Sequence, residues 1–122
     1  MSTNDTVVHK YDVFYVNLGT ERNGSIQNGI RPCVVVGNDI GNKYSPIILV
    51  VPITTRQKKS LPTHLDVNEG DGGLLFNSTI LFEQVMTISK EQIVSQKYGS
   101  LSNKANEINQ KLLISFGIYN VQ

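Results

Sequence analysis

Arg31 stands where a glycine-bracketed polar loop, Gly24-Ser25-Ile26-Gln27-Asn28-Gly29-Ile30, runs into the β-branched stretch Pro32-Cys33-Val34-Val35-Val36. Such a stretch reads as a buried strand, so the arginine sits at the junction of a mobile segment and a rigid one. Pro32 fixes its own φ and biases Arg31 toward an extended backbone, while Gly24 and Gly29 allow the tight turns on either side. A guanidinium held this way suits one task well, because its planar fork grips two oxygens of a phosphate. Two other polar features fall at strand ends. They are Thr54-Thr55 after Ile47-Ile48-Leu49-Val50-Val51-Pro52-Ile53, and Glu83-Gln84 after Ser78-Thr79-Ile80-Leu81-Phe82. Arg22, Arg56, Lys58 and Lys59 add a local basic supply that can neutralise a few phosphates. Each has a plain alternative: a threonine suits any strand, Glu83 guards an edge, and loop lysines keep a loop solvated.

Other chemistries lack their residues. The chain has no His, Cys or carboxylate cluster at metal-ligand spacing, which argues against a metal, and no cofactor is expected. Nor does a glycine-rich loop run into Lys-Ser or Lys-Thr, which removes P-loop nucleotide chemistry. The single cysteine, Cys33, lies inside the valine run as a small buried hydrophobe, with no neighbour to lower its pKa, and cannot form an internal disulfide. That usage fits a reducing cytoplasm. The net charge of +1 neither demands nor excludes a nucleic-acid partner, so any basic surface must be local. No apolar run is long enough to cross a bilayer and Met1–His9 lacks a signal-peptide core, so a soluble protein is expected.

The elements that must position these residues are mostly strands. The 122 residues make one domain, over 10–120, behind a flexible segment at 1–9. Tyr11–Leu18 is a strand ended by Gly19; Thr20–Ile30 is a long polar connection of the kind that carries function; Arg31–Gly37 is the second strand. Asn38-Asp39-Ile40-Gly41-Asn42 has hairpin-turn chemistry. Ile47–Val51 reads as a strand covered on both faces, with a bulge or lost pairing at Pro52. Thr63–Val67 alternates as an exposed hairpin arm, Gly70–Gly73 marks a turn, and Ser78–Val85 is the last strong strand. Ser89 and Gln92 have capping-box spacing for a short helix over Lys90–Val94. Ala105, Ile108, Leu112, Leu113 and Phe116 recur at helical spacing, with Ser102 or Asn103 as N-cap. Several strands and a terminal helix give a mainly β fold with some α, a strongly bent antiparallel sheet or small barrel.

Taken in order, these segments resemble the MazF/PemK (Kid) toxins of type II toxin–antitoxin systems. The resemblance is carried by Asp12-Val13-Phe14-Tyr15-Val16-Asn17-Leu18, by Gly24 to Pro32, by Pro52-Ile53-Thr54-Thr55, by Leu61-Pro62-Thr63-His64 and by Leu81 to Ile88, and it spans roughly Asp12–Ile118. It implies an SH3-like barrel with a C-terminal helix that homodimerises. The implied activity is metal-independent, sequence-specific cleavage of single-stranded RNA to 2′,3′-cyclic phosphate and 5′-hydroxyl ends. A cognate antitoxin with an acidic, disordered tail is the implied inhibitor.

Under that resemblance Arg31 falls on the catalytic arginine and Thr54 on the catalytic threonine, and Glu83 and Gln84 fall where RNA bases are contacted. Phe14 or Tyr15 would stack bases, Gln27 would read them, and Arg56 and Lys58 would hold the backbone. Glu21 and Glu83 are the available carboxylates for proton removal, and neither stands out. Three positions depart from the family pattern: Ile26 replaces a glutamate, Tyr11 a glycine and Met86 an arginine. Two rival readings share the barrel without the nuclease: a gyrase-binding toxin of the CcdB kind, and a module that only binds its partner.

Overall fold

The computed structural model describes residues 6–20, 23–56 and 59–119. The strands are β1 (Asp12–Asn17), β2 (Ile30–Val35), β3 (Ile47–Thr54), β4 (His64–Val67), β5 (Ser78–Leu81), β6 (Met86–Ser89) and β7 (Gly99–Ser100). Helix α1 (Asp39–Tyr44) joins β2 to β3, and α2 (Ala105–Ser115) follows β7. All pairings are antiparallel, in the order β4-β5-β3-β2-β1-β7, with β6 also on β3.

The sheet curls around β3. Its first half, Ile47–Val50, pairs with β6, and its last two residues, Ile53 and Thr54, pair with β5. Pro52 falls in the gap between those partners, while on the other side it stays in register opposite Cys33 of β2. The expected loss of pairing at this proline therefore occurs on one edge, where its missing N–H turns the sheet's corner.

The stretch expected to form one strand, Ser78–Val85, is broken. Ile53 faces Ile80 and Val50 faces Met86, so three steps of β3 are matched by six of the returning chain. The surplus is a 3₁₀ turn, Phe82–Gln84, that buries Phe82 and lifts Glu83 and Gln84 out of the ladder. Sequence pattern misses this because Leu81, Phe82 and Val85 keep the segment apolar throughout.

Buried residues form two clusters, one on each face of the curl. Val13, Val34, Val51, Ile53, Ile80 and Phe82 pack with Leu101 and Ile108, so α2 covers one face. Phe14, Val16, Cys33, Val35, Ile48 and Val50 fill the other with Val8, Leu18, Met86 and Ile88. Val8 departs from the flexible segment that polarity implied, because it is buried in that second cluster. Ile47 and Leu49, expected to be covered, are exposed at the open end of β3.

Three local expectations change. Asn38–Asn42 forms the start of α1, with Asn38 as N-cap accepting from Gly41 N at 2.8 Å, because residues that favour turns also favour helix caps. The capping box is present, Ser89 and Gln92 bracketing a single 3₁₀ turn, Lys90–Gln92. Neither Ser102 nor Asn103 caps α2: a 3₁₀ turn, Ser102–Lys104, feeds it directly, with Lys104 N bonded to Leu101 O at 2.8 Å.

Candidate active site

The β1–β2 connection is closed at its stem by Leu18 N to Gly29 O at 2.8 Å and Gly29 N to Gly19 O at 2.7 Å. Gly24 and Gly29 both adopt left-handed backbone, φ 62° and 72°, which the turns require and which other residues resist. Beyond the stem the loop lies over the 3₁₀ turn. Gln84 Oε1 accepts from Gln27 N at 2.9 Å, and Gln84 Nε2 donates to Ser25 O at 2.9 Å.

Arg31 follows on β2, half-buried, opposite Val16 of β1. Its Nε donates to Asn28 O at 2.9 Å, which aims the guanidinium back along its own loop. On its other side lies β3. The ladder pairs Val34 with Val51 and Cys33 with Pro52 and ends there, with Arg31 two residues before Cys33 on β2 and Thr54 two residues after Pro52 on β3. Thr54 is 2% exposed, and its Oγ1 accepts from Arg56 N at 3.1 Å. Arg56 in turn lines, with Arg31, Gly24, Ser25, Ile26, Gln27 and Asn28, a polar cleft of about 220 Å³. Two arginines thus line one small depression, and the Thr54 hydroxyl bonds to the backbone of one of them, an arrangement suited to gripping a phosphate diester.

Glu83 looks the other way. Its Oε1 accepts from Thr63 Oγ1 at 2.9 Å and its Oε2 is 3.0 Å from His64 Nε2. Partial burial alone would raise this carboxyl, but the hydrogen bonds from His64, from its own backbone and from Thr63, with the charge of His64, hold it below the usual range. The pair is a feature sequence reasoning missed, since 19 residues separate the partners and His64 was read on an exposed arm. His64 is instead buried on β4 opposite Leu81.

The structure brings Arg31, Thr54, Arg56, Gln27 and Gln84 to one corner, with Glu83 on the adjoining turn. Phe14 is a correction: it is 1% exposed, packed within the core beside Cys33, and no base can stack on it. Strand β1 alternates, so it is Tyr15 that faces outward, its ring 4.7 Å from that of Tyr98. Gln27 is only 8% exposed, tucked under the loop rather than presented. Lys58, Arg22 and Glu21 lie outside the described residues. Ile26 is exposed on the cleft wall, and Met86 is buried opposite Val50. His9 sits away from the cleft, its backbone N bonded to Asp12 Oδ2. Among the described residues no three His, Cys, Asp or Glu side chains converge as a metal site needs, and no helix is long and apolar enough to cross a membrane.

Fold and site together define a small curled-sheet domain that presents an arginine cleft at the corner where its central strand changes partners. The chain belongs to the family of PemK-like, MazF-like toxins of type II toxin–antitoxin systems, whose model matches residues 9–116. It is 35% identical over 117 residues to the endoribonuclease MazF of Staphylococcus saprophyticus, covering 95% of this chain and 97% of that one. Its fold is shared with a mycobacterial endoribonuclease solved with its cognate antitoxin, at TM-score 0.76 and 20% identity over 93% of this chain and 99% of that one. MazF from Deinococcus radiodurans likewise superposes at TM-score 0.76, with 19% identity and the same coverage.

Proposed function

We propose that this chain is an endoribonuclease toxin that cuts single-stranded RNA at a short sequence without a metal ion, works in the cytoplasm as a homodimer, and is silenced by a cognate antitoxin. The observation that supports the reading is a corner where Arg31 and Arg56 line one polar cleft and the Thr54 hydroxyl accepts from the backbone N of Arg56. The relatives support the same class: the staphylococcal one is an endoribonuclease, and the mycobacterial one forms a complex with its antitoxin.

The chemistry asks little of the protein beyond electrostatics. The ribose 2′-oxygen attacks the adjacent phosphorus as its proton leaves; the bond from phosphorus to the 5′-oxygen breaks, and a proton is delivered to that oxygen. A 2′,3′-cyclic phosphate and a 5′-hydroxyl result. Arg31 binds the non-bridging oxygens, whose negative charge grows in the transition state, a donor role worth roughly 3 to 4 kcal/mol. The Thr54 hydroxyl accepts from Arg56 N and keeps its own proton to donate to the same phosphate. Glu83, held ionised by two side-chain donors, is built to hold its neighbours rather than to take up a proton.

The test is to incubate the purified protein with single-stranded RNA in EDTA and map both ends of each product. Recurrent cuts at one short sequence, with cyclic phosphate and 5′-hydroxyl ends, are expected. Loss of cutting on chelation, or 5′-phosphate ends, overturns the scheme.

A further inference from the structure

We infer that Gln84 is a positioning residue: a latch that holds the β1–β2 loop shut through its side-chain amide and thereby sets the orientation of Arg31. The inference rests on the reading of Arg31 as the phosphate-binding group.

A primary amide offers an acceptor and a donor side by side, and here both are used on one stretch of backbone. Oε1 accepts from Gln27 N and Nε2 donates to Ser25 O, each at 2.9 Å. That pattern, a C=O and the N–H two residues later bonded to one partner, is what a neighbouring strand would supply. Because one loop atom can only donate and the other can only accept, the orientation of the amide is determined. Among the described residues these are the two bonds that tie the loop interior to a distant element, with 57 and 59 residues between partners.

The base of the latch is stiff. Phe82 of the same turn is fully buried, and its carbonyl accepts from Ser115 Oγ of α2 at 2.6 Å. Phe82 N donates to Thr63 O at 3.0 Å, and Glu83 is tied to Thr63 and His64. The moving end is short. One residue beyond Gln27 is Asn28, whose carbonyl receives Arg31 Nε at 2.9 Å. With Nε committed to the loop, the two terminal nitrogens of Arg31 are left for phosphate, and the loop's position decides where they point. A free loop would leave the same charge present but unaimed.

Gln84 therefore acts on the reaction through the loop, whereas a base-reading glutamine acts on the RNA. The two roles separate by experiment on the whole protein, comparing wild type, Gln84→Ala and Gln84→Glu. The glutamate keeps the acceptor for Gln27 N but sets a second acceptor against Ser25 O. Without RNA, amide exchange at Gln27 is expected to quicken by about tenfold in the alanine variant and less in the glutamate variant, with Val34 and Ile53 unchanged. With RNA, kcat is expected to fall by about tenfold while KM stays within about twofold, the glutamate again lying between. Unchanged exchange at Gln27, or a defect confined to KM and cut-site choice, overturns the latch. If the loop loosens but Arg31→Ala still cuts RNA, Gln84 holds the loop but the reading of Arg31 as the phosphate-binding group falls, and if the loop loosens but wild type cuts no RNA, the nuclease reading falls instead.

Discussion

Arg31 Nε donates to the carbonyl of Asn28, three residues back on the loop that delivers it, at 2.9 Å. The charge that would meet a phosphate is therefore anchored at its root and free at its tip. A lysine has no second nitrogen with which to divide those tasks, and its compact ammonium cannot form the bidentate fork. Arg31→Lys is expected to lower kcat by about 10²-fold or more and Arg31→Ala further. Both should leave thermal unfolding within roughly 0.5 kcal/mol of wild type, since the side chain is half-exposed. Single-turnover cleavage alongside calorimetry checks both halves.

Thr54 is the buried partner at that corner, and its hydroxyl has a structural duty as well as the proposed chemical one. Thr54→Val keeps the shape but withdraws the acceptor from Arg56 N, at a cost of about 1 kcal/mol. Cleavage should drop much further than that loss of stability explains. Thr54→Ser, which restores the hydroxyl, should recover most of the activity. Equal cleavage by the valine and serine variants would remove Thr54 from the chemistry.

Much of this corner is legible in the sequence because its ingredients are local. Pro32 beside Arg31, the two glycines of the loop and the valine run each act within a few residues, and they place the arginine at a strand entrance. The apolar run of β3 likewise marks a strand, although Ile47 and Leu49 are exposed rather than covered. What escapes is long-range. Phe14 and Tyr15 have equal claims to a surface on composition, and only the alternation of β1 within a sheet covered on both faces decides that Phe14 goes inward. The break at Phe82–Gln84 is invisible for a related reason: the surplus residues exist only relative to β3, whose register no short-range signal carries. The pairing of Glu83 with His64, and of Gln84 with the loop, follows from that break.

The Glu83 carboxylate gives the fold a dependence on acid. Its acidity is strengthened in the folded chain, so the stability it contributes is complete above the ordinary glutamate value of about 4.3 and is lost as pH falls through the lower folded value. Urea midpoints for wild type should therefore decline below about pH 4.3 more steeply than those for Glu83→Gln, which accepts from Thr63 or His64 without titrating. Parallel curves for the two proteins would mean that the His64–Glu83 contact contributes nothing to folding.

Cys33 offers a check on the core that is independent of RNA. It is fully buried, and burial pushes its thiol up to about 12, so at pH 8 neither access nor thiolate is available. Iodoacetamide should leave native protein unlabelled and its cleavage unaltered, and should label it promptly in urea. Labelling at the native rate of an exposed thiol would place Cys33 outside the second cluster.

Tyr11 has φ 76°, among the described residues the only one other than glycine with positive φ. Its side chain is what it brings in exchange: the ring packs on the first cluster, and its hydroxyl donates to Asn109 Oδ1 of α2 at 2.9 Å. Left-handed backbone costs a residue bearing Cβ roughly 1 to 2 kcal/mol. Substitution to alanine keeps that strain and discards the contacts, whereas substitution to glycine discards the contacts and the strain together. Tyr11→Gly should therefore be more stable than Tyr11→Ala by about 1 kcal/mol, the reverse of the usual order for these two residues. Tyr11→Phe, which keeps ring and strain and loses only the bond to Asn109, should fall about 1 kcal/mol below wild type. Chemical denaturation of the three variants decides it, and an alanine variant as stable as the glycine variant would show that the backbone at residue 11 is unstrained.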